Sequence, residues 1–508
     1  MSGPPTLIRA LLARLPGARL IETHISWVIL AGDHAWKLKK PLDLGFLDFS
    51  TLEKRRHACE EEVRLNRRLA PQIYLEAVPV TGSETAPSFG GPGPVLEWAV
   101  KMRAFPADAT LDRQARIEPE QVDAIAERVA AFHGEIAPAP PDSDFGTPEA
   151  VRAPVEQNFV EIRALGPPPE VLAALDRLEP WCRAEGVRLE DHFRRRREGG
   201  FVRECHGDLH LGNIAWVDDA PLIFDGIEFN AGLRFIDVIN EIAFLAMDLW
   251  HRGQPQMAWR LLDRYLTFSG DYAGLPALRY YMVYRAMVRA KVAAIRAAQE
   301  GGAHAECLDY LSLAQTLSRP PPPALLLMHG VSGSGKTVLS QQLLEELGAI
   351  RLRSDVERKR LFGLGPLDSS DAIPGGIYTA EASRRTRDRL LALAEGLLGE
   401  GYRVIVDATF LSRDWRQPFQ ALAAGHGVPW CLVSPQVPVA ELRARVARRS
   451  AQGRDASEAD LAVLEAQLGG GDPLDESERT HCIAPTSDWT RQRLLEAVNP
   501  CIETEGRQ

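Results

Sequence analysis

The chain has 508 residues, more than one hydrophobic core ordinarily holds, so two or more domains are expected. Its 45% hydrophobic and 25% charged residues are typical of a globular protein. The formal net charge of −10 argues against general attraction to nucleic acid or anionic membranes, although it leaves room for a local basic pocket.

The cysteines are widely separated, odd in number and without a CxxC pair. This usage is typical of reduced thiols in cytoplasm and not of a disulfide framework or a zinc site. No uninterrupted apolar stretch of the sequence approaches the length that crosses a bilayer. We therefore expect a cytoplasmic protein without a membrane partner.

The first part of the chain predicts a small β-rich lobe, about residues 1–105, and then a helical lobe, about residues 106–319. Strand-like segments at 26–30 and 34–39 flank the turn Ala31-Gly32-Asp33, which predicts a hairpin. The other predicted elements of the small lobe are a helix at about 52–69 and strands at 78–80 and 95–102. From Pro119 onward the pattern is mostly helical.

Four consecutive prolines at 320–323 mark the clearest boundary, because proline continues neither a helix nor a central strand. They form a stiff extended linker. Beyond it, residues 324–508 alternate predicted strands and helices, beginning with a strand at 325–328 and a helix at 338–347. This alternation predicts an α/β domain with a parallel sheet covered by helices.

A phosphate-binding motif opens the second part. The pattern GxxxxGK[ST] lies between the predicted strand and helix, which is the context that the motif requires. Its residues are Gly330, Val331, Ser332, Gly333, Ser334, Gly335, Lys336 and Thr337. The glycines let backbone N–H groups surround phosphates, Lys336 offers a charge to the β- and γ-phosphates, and the Thr337 hydroxyl can bind Mg²⁺. The motif predicts binding of ATP or GTP with Mg²⁺.

Two acidic residues of the second part are candidates for its chemistry. Asp407 ends the apolar strand predicted at 404–407, where it can hold Mg²⁺ or cap the next helix. Asp355 follows a short predicted strand and can accept a proton from a hydroxyl, while Arg358 can hold a phosphate. The alternative is that Ser354 or Asp355 is the N-cap of a helix with a charged first turn.

The stretch at about 324–470 resembles small-molecule and polynucleotide P-loop kinases, including the 5′-hydroxyl kinase domain of phage polynucleotide kinase. The shared features are the P-loop, an Asp-x-x-Arg after the second strand and an arginine-rich segment near the end. The resemblance implies that Asp355 is the base, that Arg358 positions the acceptor and that arginines of a lid reach the phosphates. The lid candidates are Arg443, Arg445, Arg448, Arg449 and Arg454, of which we favour Arg445 for the nucleotide and Arg449 for catalysis.

A second motif, His206-Gly-Asp208-Leu-His-Leu-Gly-Asn213, precedes the strand-like Ile223-Phe-Asp225-Gly. The pair resembles the catalytic and metal-binding loops of the aminoglycoside phosphotransferase family, relatives of protein kinases. The resemblance implies a bilobal, protein-kinase-like α+β fold. It also implies that Asp208 accepts the hydroxyl proton or orients the acceptor, while Asn213 and Asp225 bind Mg²⁺. Asp237 resembles the family's later aspartate that braces the catalytic loop, with a plain surface role as the alternative.

Kinase chemistry also needs a lysine on an early strand and a glutamate on the following helix. An apolar-x-apolar-Lys spacing assigns the lysine role to Lys39, with Lys37 on the same strand face. Glu62 is the expected partner, because Leu65 and Leu69 of its helix face the core. The alternative is a charged strand edge and a solvated acidic turn. The first hairpin has no GxGxxG loop, which leaves its phosphate contacts open.

The stretches at 37–55 and 59–71, with the motifs at 206–213 and 224–230, resemble one bacterial family that fuses an aminoglycoside-phosphotransferase-like domain, 1–319 here, to a P-loop kinase-like domain, 324–508. This resemblance covers nearly the whole chain. The motif sets of both parts lead us to expect a bifunctional ATP-dependent phosphotransferase with small-molecule hydroxyl acceptors, because Asp208, Asn213 and Asp225 are all present in the first part and Asp355 and Arg358 favour transfer in the second. Two alternatives stay open: a P-loop NTPase with a kinase-like ligand-binding or regulatory module, and a polynucleotide 5′-hydroxyl kinase in the second domain. The acidic charge favours a small molecule over nucleic acid. The motifs specify neither the acceptors nor an oligomeric state.

Overall fold

The structure is a computed structural model that describes residues 5–45, 47–106, 108–452 and 457–502. The chain forms two compact units, the first made of Met1–Asp248 and Tyr280–Leu311 and the second of Leu249–Arg279 and Ser312–Gln508. Each of the two motifs therefore lies in its own compact unit. The segment 249–279, which we expected in the first domain, packs within the second unit instead.

An antiparallel sheet forms the small lobe of the first unit, together with α1 (Thr6–Arg14) and α2 (Leu52–Asn66). Its strands are β1 (Arg19–Glu22), β2 (Ser26–Ala31), β3 (His34–Lys39), β4 (Tyr74–Ser83), β5 (Ala86–Phe89) and β6 (Val95–Arg103). Their order is β1-β2-β3-β6-β4-β5. The predicted hairpin is confirmed as β2–β3, with Ser26 opposite Lys39. Lys37 and Lys39 therefore emerge on one face of a strand inside the sheet.

The helical lobe carries two short hairpins that place the second motif. Its elements are α3 (Pro119–Glu135), α4 (Pro148–Ala164), α5 (Pro169–Arg188), α6 (Glu190–Glu198), β7 (Val202–Glu204), β8 (Ile214–Val217), β9 (Ala220–Ile223), α7 (Ala231–Arg234) and β10 (Phe235–Asp237). Strand β7 pairs with β10, and β8 pairs with β9, both antiparallel. Asp208 and Asn213 lie between β7 and β8, and Asp225 follows β9, so the β8–β9 hairpin brings the two loops to one end.

Four long helices follow. They are α8 (Val238–His251), α9 (Pro255–Ser269), α10 (Leu275–Glu300) and α11 (Ala305–Leu317). Helix α9 belongs to the second unit. Throughout the described ranges, every helix is too short or too polar to cross a lipid bilayer. The cysteines, all within those ranges, are free thiols, as the sequence predicts.

A parallel sheet forms the centre of the second unit, as expected from the alternating pattern. Its strands are β11 (Leu325–Met328), β12 (Ala349–Arg353), β13 (Arg403–Asp407), β14 (Trp430–Val433) and β15 (Cys482–Ile483), in the order β12-β13-β11-β14-β15. The helices are α12 (Lys336–Leu347), α13 (Ser354–Leu361), α14 (Ala380–Gly399), α15 (Arg413–His426), α16 (Val439–Gln452), α17 (Leu461–Gly469), α18 (Glu476–Thr480) and α19 (Arg491–Ile502). Met328 is the register partner of Asp407, so the P-loop and Asp407 leave the same edge of the sheet.

Apolar contacts explain why α9 packs with the second unit. Trp259 lies against the core that includes Leu344 and Leu347 of α12. A Cβ added to Gly348, directly after α12, would approach the Trp259 ring to 2.8 Å. The Tyr402 hydroxyl donates a hydrogen bond of 2.8 Å to the Leu275 carbonyl, which anchors the end of the segment. None of these contacts is encoded by spacing along the sequence.

Candidate active sites

A connected series of ion pairs crosses the small lobe of the first unit. The Lys37 ammonium lies 2.9 Å from Glu62 Oε1 and also contacts Asp225 Oδ1. Burial acts to lower the pKa of Lys37, but Asp225 and Glu62 outweigh it and the pKa lies well above its usual value. Lys37 is therefore charged and joins α2 to the loop that carries Asp225.

Lys39 occupies a deeper position than the sequence suggested. Its ammonium contacts Glu62 Oε2 and Glu228 Oε1, and its side chain has no exposed surface. By contrast, the Asp225 carboxylate that faces Lys37 keeps 43% of its side chain exposed. The expectation that Lys39 touches the nucleotide does not fit this geometry, because two buried carboxylates enclose it. Lys37, on the same strand face, is the lysine that reaches the exposed carboxylate.

The catalytic-loop candidates lie together as the motif implies. The Asn213 amide donates to Asp208 Oδ2 at 3.0 Å and to the Asp208 carbonyl at 3.0 Å. His210 Nε2 lies 3.4 Å from Asp208 Oδ2, and 37% of the Asp208 side chain remains exposed. Burial acts to raise the pKa of Asp208, but His210 and His206 outweigh it and hold the pKa below its usual range. Asp208 is thus an ionised, accessible carboxylate.

The loop that carries Asp225 is fixed by two residues that sequence reasoning missed. Asp225 adopts the left-handed backbone region, with φ of 64°. Its N–H donates to the Tyr74 hydroxyl at 3.1 Å, and the Gly226 N–H donates to Asn66 Oδ1 at 2.8 Å. A left-handed aspartate is sterically disfavoured, so external hydrogen bonds are needed to hold it. Neither Tyr74 nor Asn66 carries a motif that could have revealed this role.

The catalytic loop is braced at Gly207. Its N–H donates to Glu241 Oε1 at 2.7 Å, and Glu241 Oε2 lies 2.8 Å from His133 Nε2. The Gly207 carbonyl accepts from Arg285 at 3.1 Å. Gly207 has φ of +88°, and an added Cβ would lie 2.9 Å from a backbone oxygen, so glycine is required here.

The expected brace, Asp237, has a different partner. Both of its carboxylate oxygens accept hydrogen bonds from the buried Arg196 guanidinium, at 2.7 and 2.9 Å. The alternative of a plain surface aspartate is also wrong, because Asp237 is 4% exposed. Asp237 therefore ties α6 to the start of α8, and Glu241 braces the loop one helical turn later.

The P-loop of the second unit borders a cavity of about 870 Å³. Gly335 is the N-cap of α12 with a left-handed backbone, so the motif turns directly into the helix. Gly333 also has positive φ, and an added Cβ would lie 2.9 Å from Val446 of α16. The glycines thus serve both the turn and the close approach of α16. The cavity is lined by P-loop residues Ser332 to Thr337 and by Asp355, Arg358, Asp407, Arg445 and Arg449.

Asp407 and the P-loop helix are joined through a serine. The Ser340 hydroxyl lies 3.3 Å from Asp407 Oδ2 and 3.0 Å from the Thr337 carbonyl. The Lys336 ammonium donates to the Val331 carbonyl at 2.9 Å. Burial lowers the pKa of Lys336, although Asp407 and Asp355 act in the opposite direction. Both predicted carboxylates are therefore electrostatic neighbours of the P-loop lysine.

Beneath the P-loop helix lies a buried ion pair that sequence reasoning missed. Arg351 of β12 makes hydrogen bonds of 3.1 and 2.6 Å to the Asp263 carboxylate of α9. The same guanidinium donates to the Thr337 carbonyl at 3.2 Å and to Ser340 Oγ at 3.0 Å. Asp263 thereby orients the group that holds the first turn of α12.

The acceptor-side candidates lie on α13. The N-cap of this helix is Arg353, so neither Ser354 nor Asp355 is the cap, although Asp355 and Glu357 form the charged first turn that the alternative expected. Arg358 donates from Nη1 to the Ile377 carbonyl at 3.3 Å and to Ser383 Oγ at 3.2 Å. Its guanidinium lies 5.0 Å from the Tyr378 ring centre. Asp355 and Arg358 share one face of the helix, one turn apart.

The arginine-rich segment forms most of α16, and its arginines differ in what they contact. Arg445 lines the cavity and lies 3.4 Å from the Gly333 carbonyl. Arg449 also lines it and donates to the Ala459 carbonyl at 2.7 Å, and Arg448 is a third cavity residue. Arg443 instead pairs with the exposed Glu465. Arg454 lies outside the described residues.

The donor sets fit a hard divalent cation. Asp208, Asn213 and Asp225 offer carboxylate and amide oxygens, and Thr337 with Asp407 offers a hydroxyl and a carboxylate. Mg²⁺ prefers oxygen ligands and keeps several of its waters. The exposed fraction of the Asp225 side chain leaves room for such an ion. Each set of oxygen ligands lies near a lysine, and a nucleotide-phosphate site requires this combination.

The folds and sites define the class: a protein-kinase-like phosphotransferase domain joined to a P-loop kinase-like domain. The family described as "Phosphotransferase enzyme family" matches residues 47–281, and the family described as "AAA domain" matches 325–474. Over 408 residues, the chain is 33% identical to uncharacterized proteins of Mycobacterium tuberculosis and Mycobacterium bovis, which covers 79% of this chain and 80% of theirs. The chain belongs to this bacterial two-domain family.

Solved structures show weaker likenesses. A choline/ethanolamine kinase family protein of Mesorhizobium loti is 13% identical, with 62% of this chain and 94% of that chain covered at a TM-score of 0.39. A putative kinase of Chloroflexus aurantiacus is 21% identical, with 36% of this chain and 100% of that chain covered at a TM-score of 0.30.

Proposed function

We propose that the chain is a bifunctional ATP-dependent phosphotransferase, in which each unit transfers the γ-phosphoryl group of ATP to a hydroxyl of a small molecule. The observation that carries the proposal is the position of the carboxylates at each of the two sites. Asp208 is accessible and held by Asn213, and Asp355 and Asp407 both act on Lys336 at the P-loop cavity. The family matches support kinase activity in general and ATP as the nucleotide, and they lend no support to GTP.

In the first unit, Asp208 would accept the proton of the acceptor hydroxyl as its oxygen bonds to the γ-phosphorus and the bond to ADP breaks. Lys37, rather than Lys39, would contact the nucleotide phosphates, oriented by Glu62. Asn213 and Asp225 would hold Mg²⁺, which neutralises charge on the phosphates when bound.

In the second unit, the backbone N–H groups of Ser332 to Thr337 would surround the phosphates, with Lys336 beside them. Thr337 and Asp407 would hold Mg²⁺. Asp355 would take the hydroxyl proton, Arg358 would bind the acceptor, and Arg445 and Arg449 would stabilise charge on the transferring group. The proline linker at 320–323 would then lie, in sequence, between the catalytic motifs of two enzymes.

Isotope transfer tests the proposal. The full chain is incubated with γ-labelled ATP, Mg²⁺ and a deproteinised bacterial metabolite extract, beside the variants Asp208→Asn and Lys336→Ala. We expect each variant to lose a different labelled product. The matched control Asp218→Asn changes an exposed aspartate of the β8–β9 turn and should lose neither.

Other results select the alternatives. Label released only as free phosphate, and lost only in Lys336→Ala, would identify a P-loop NTPase with a kinase-like binding module. Lys336-dependent labelling of an added 5′-hydroxyl oligonucleotide, but of no metabolite, would identify a polynucleotide kinase in the second unit.

A further inference from the structure

The helical lobe of the first unit contains a cavity of about 110 Å³ that the proposed function does not use. Apolar and aromatic side chains form most of its lining, among them Phe145, Val151, Leu233, Phe235, Tyr281 and Tyr284. Phe145 and Phe235 stack with their ring centres 4.6 Å apart, and both remain partly exposed, as does Leu233. Single exposed apolar residues are normal, but a cluster of them around a cavity is typical of a ligand site.

The cavity adjoins the catalytic loop. Arg285 lines the cavity and donates a hydrogen bond of 3.1 Å to the carbonyl of Gly207, the residue directly before Asp208. Tyr284 lines it as well, one position earlier on α10. Burial raises the pKa of Tyr284, Arg285 acts against this, and the charge of Asp208 raises the pKa further. Asp208 is therefore an electrostatic neighbour of the cavity, and a molecule bound there can present a hydroxyl to it.

The charged groups of the cavity wall already have protein partners. Among the described lining residues, the charged ones are Asp237 and Arg285. Both carboxylate oxygens of Asp237 accept hydrogen bonds from Arg196. The Arg285 guanidinium donates at 2.8 Å to Asn240 Oδ1 and also to the catalytic-loop carbonyl, and it lies 5.2 Å from the Tyr284 ring centre. The described lining thus offers an organic cation neither a free carboxylate nor that ring face. What remains to recognise a ligand is the apolar surface.

The size of the cavity limits the group that it can hold. An engineered apolar cavity of about 150 Å³ is sufficient to bind benzene. At about 110 Å³, the cavity of the first unit therefore suits a body of about five or six carbon atoms.

We propose that the acceptor of the first unit is an uncharged alcohol whose small apolar or aromatic body occupies this cavity while its hydroxyl faces Asp208. This inference rests on the proposed function of that unit. Affinity then comes from the apolar surface that the alcohol and the side chains of Phe145, Leu233 and Phe235 remove from water, and not from an ionic contact.

Fractionation of acceptors by charge and polarity tests the proposal. A deproteinised bacterial metabolite extract is passed at neutral pH over a cation exchanger and an anion exchanger, and the neutral flow-through is divided on a reversed-phase column. The resulting cationic, anionic, neutral polar and neutral apolar pools are each incubated with γ-labelled ATP, Mg²⁺ and the full-length Lys336→Ala chain, with and without Asp208→Asn. We expect the Asp208-dependent product from the neutral apolar pool.

The other results separate the two proposals. An Asp208-dependent product that comes only from the cationic, anionic or neutral polar pool overturns the apolar acceptor but not the transferase. No Asp208-dependent product from any pool overturns the proposed function of the first unit itself.

Substitutions in the cavity test its role with the acceptor isolated from the active pool. Val151→Phe should raise the acceptor KM by roughly tenfold or more, because the larger side chain fills the cavity, and should leave the KM for ATP unchanged. Leu233→Ala enlarges the cavity and should also raise the acceptor KM, by roughly fivefold or more, because apolar contact is lost. It covers the case in which the first variant misfolds.

The matched control is Val160→Phe. Val160 lies on the same helix as Val151 and is 66% exposed, so the same change there should leave the acceptor KM unaltered. If neither Val151→Phe nor Leu233→Ala changes the acceptor KM, the cavity is a packing void and the assignment is refuted.

Discussion

Asp263 and Arg351 lie 88 residues apart in sequence and form a buried, two-bonded ion pair, with contacts of 2.6 and 3.1 Å. Through Arg351, the pair reaches the Thr337 carbonyl and Ser340 Oγ, and Ser340 in turn contacts Asp407. A helix outside the P-loop match thus supports both of the expected magnesium ligands of the second unit. The segment 249–279, which lies within the phosphotransferase family match, thus packs with the P-loop helix in the second unit.

The first prediction concerns this pair. Asp263→Asn should lower the free energy of unfolding of the second unit by about 3 kcal/mol, because it leaves the buried Arg351 charge without its carboxylate. It should also raise the Mg²⁺ concentration that Lys336-dependent transfer requires. Denaturant unfolding and magnesium titration measure the two effects. The exposed Asp388→Asn should change stability by less than about 0.5 kcal/mol. Equal effects of the two variants would show that the ion pair is dispensable.

The second prediction separates the two lysines of β3. Lys37→Met should reduce Asp208-dependent kcat/KM for ATP by about a hundredfold, because a cation at the developing phosphate charge is lost. Lys39→Met should instead lower the free energy of unfolding by about 3 kcal/mol, because Glu62 and Glu228 remain buried without their shared cation. Both are measured in a Lys336→Ala chain. A stable but inactive Lys39→Met beside an active Lys37→Met would restore Lys39 to the nucleotide site.

The third prediction concerns Glu241 and pH. Burial acts to raise the pKa of Glu241, but hydrogen bonds from His133 and Gly207 outweigh it and lower the pKa. A lowered carboxyl pKa stabilises the fold above the unfolded value of about 4.3, and this stabilisation is lost as the pH falls through the folded pKa. The stability advantage of wild type over Glu241→Gln should therefore be full at neutral pH and shrink on acidification below about pH 4.

Glu241 should also position the catalytic loop without touching substrate. Glu241→Gln should lower the kcat of Asp208-dependent transfer by about ten- to a hundredfold while the KM for ATP stays unchanged, because Gly207 loses its charged acceptor. The exposed Glu135→Gln, on the same helix as His133, is the control. A stability difference that stays constant with pH, together with an unaltered kcat, would remove Glu241 from this role.

The fourth prediction tests the approach of α16 to the P-loop. Gly333→Ala adds a Cβ 2.9 Å from Val446 and 3.1 Å from the Leu442 carbonyl, on a backbone with φ of +80°. The variant should raise the KM for ATP of the second unit at least about tenfold, because the loop and the lid helix must separate. Gly396→Ala, in open space within α14, should be neutral or stabilising by up to about 1 kcal/mol. ATP titration of Lys336-dependent transfer measures the KM for ATP of both variants. An unaltered KM in Gly333→Ala would mean that α16 does not pack against the P-loop.

The sequence by itself determined the two-domain organisation, both fold classes and the motif residues. These are local properties. The P-loop residues from Gly330 to Thr337 are contiguous, and the strand, turn and helix that they require are read from their immediate neighbours. Asp208 and Asn213 share one loop, and the hydrogen bond between them follows from that short separation.

Only the tertiary structure distinguished the surroundings of residues that the sequence leaves equivalent. Lys37 and Lys39 share a strand face, and the choice between them depends on Glu228 and Asp225, almost 190 residues away along the chain. The same holds for Glu241 in place of Asp237, and for α9 in the second unit. Side-chain periodicity reports which face of an element is buried, but not what buries it. Partners brought together by long-range packing leave no spacing signal in the sequence.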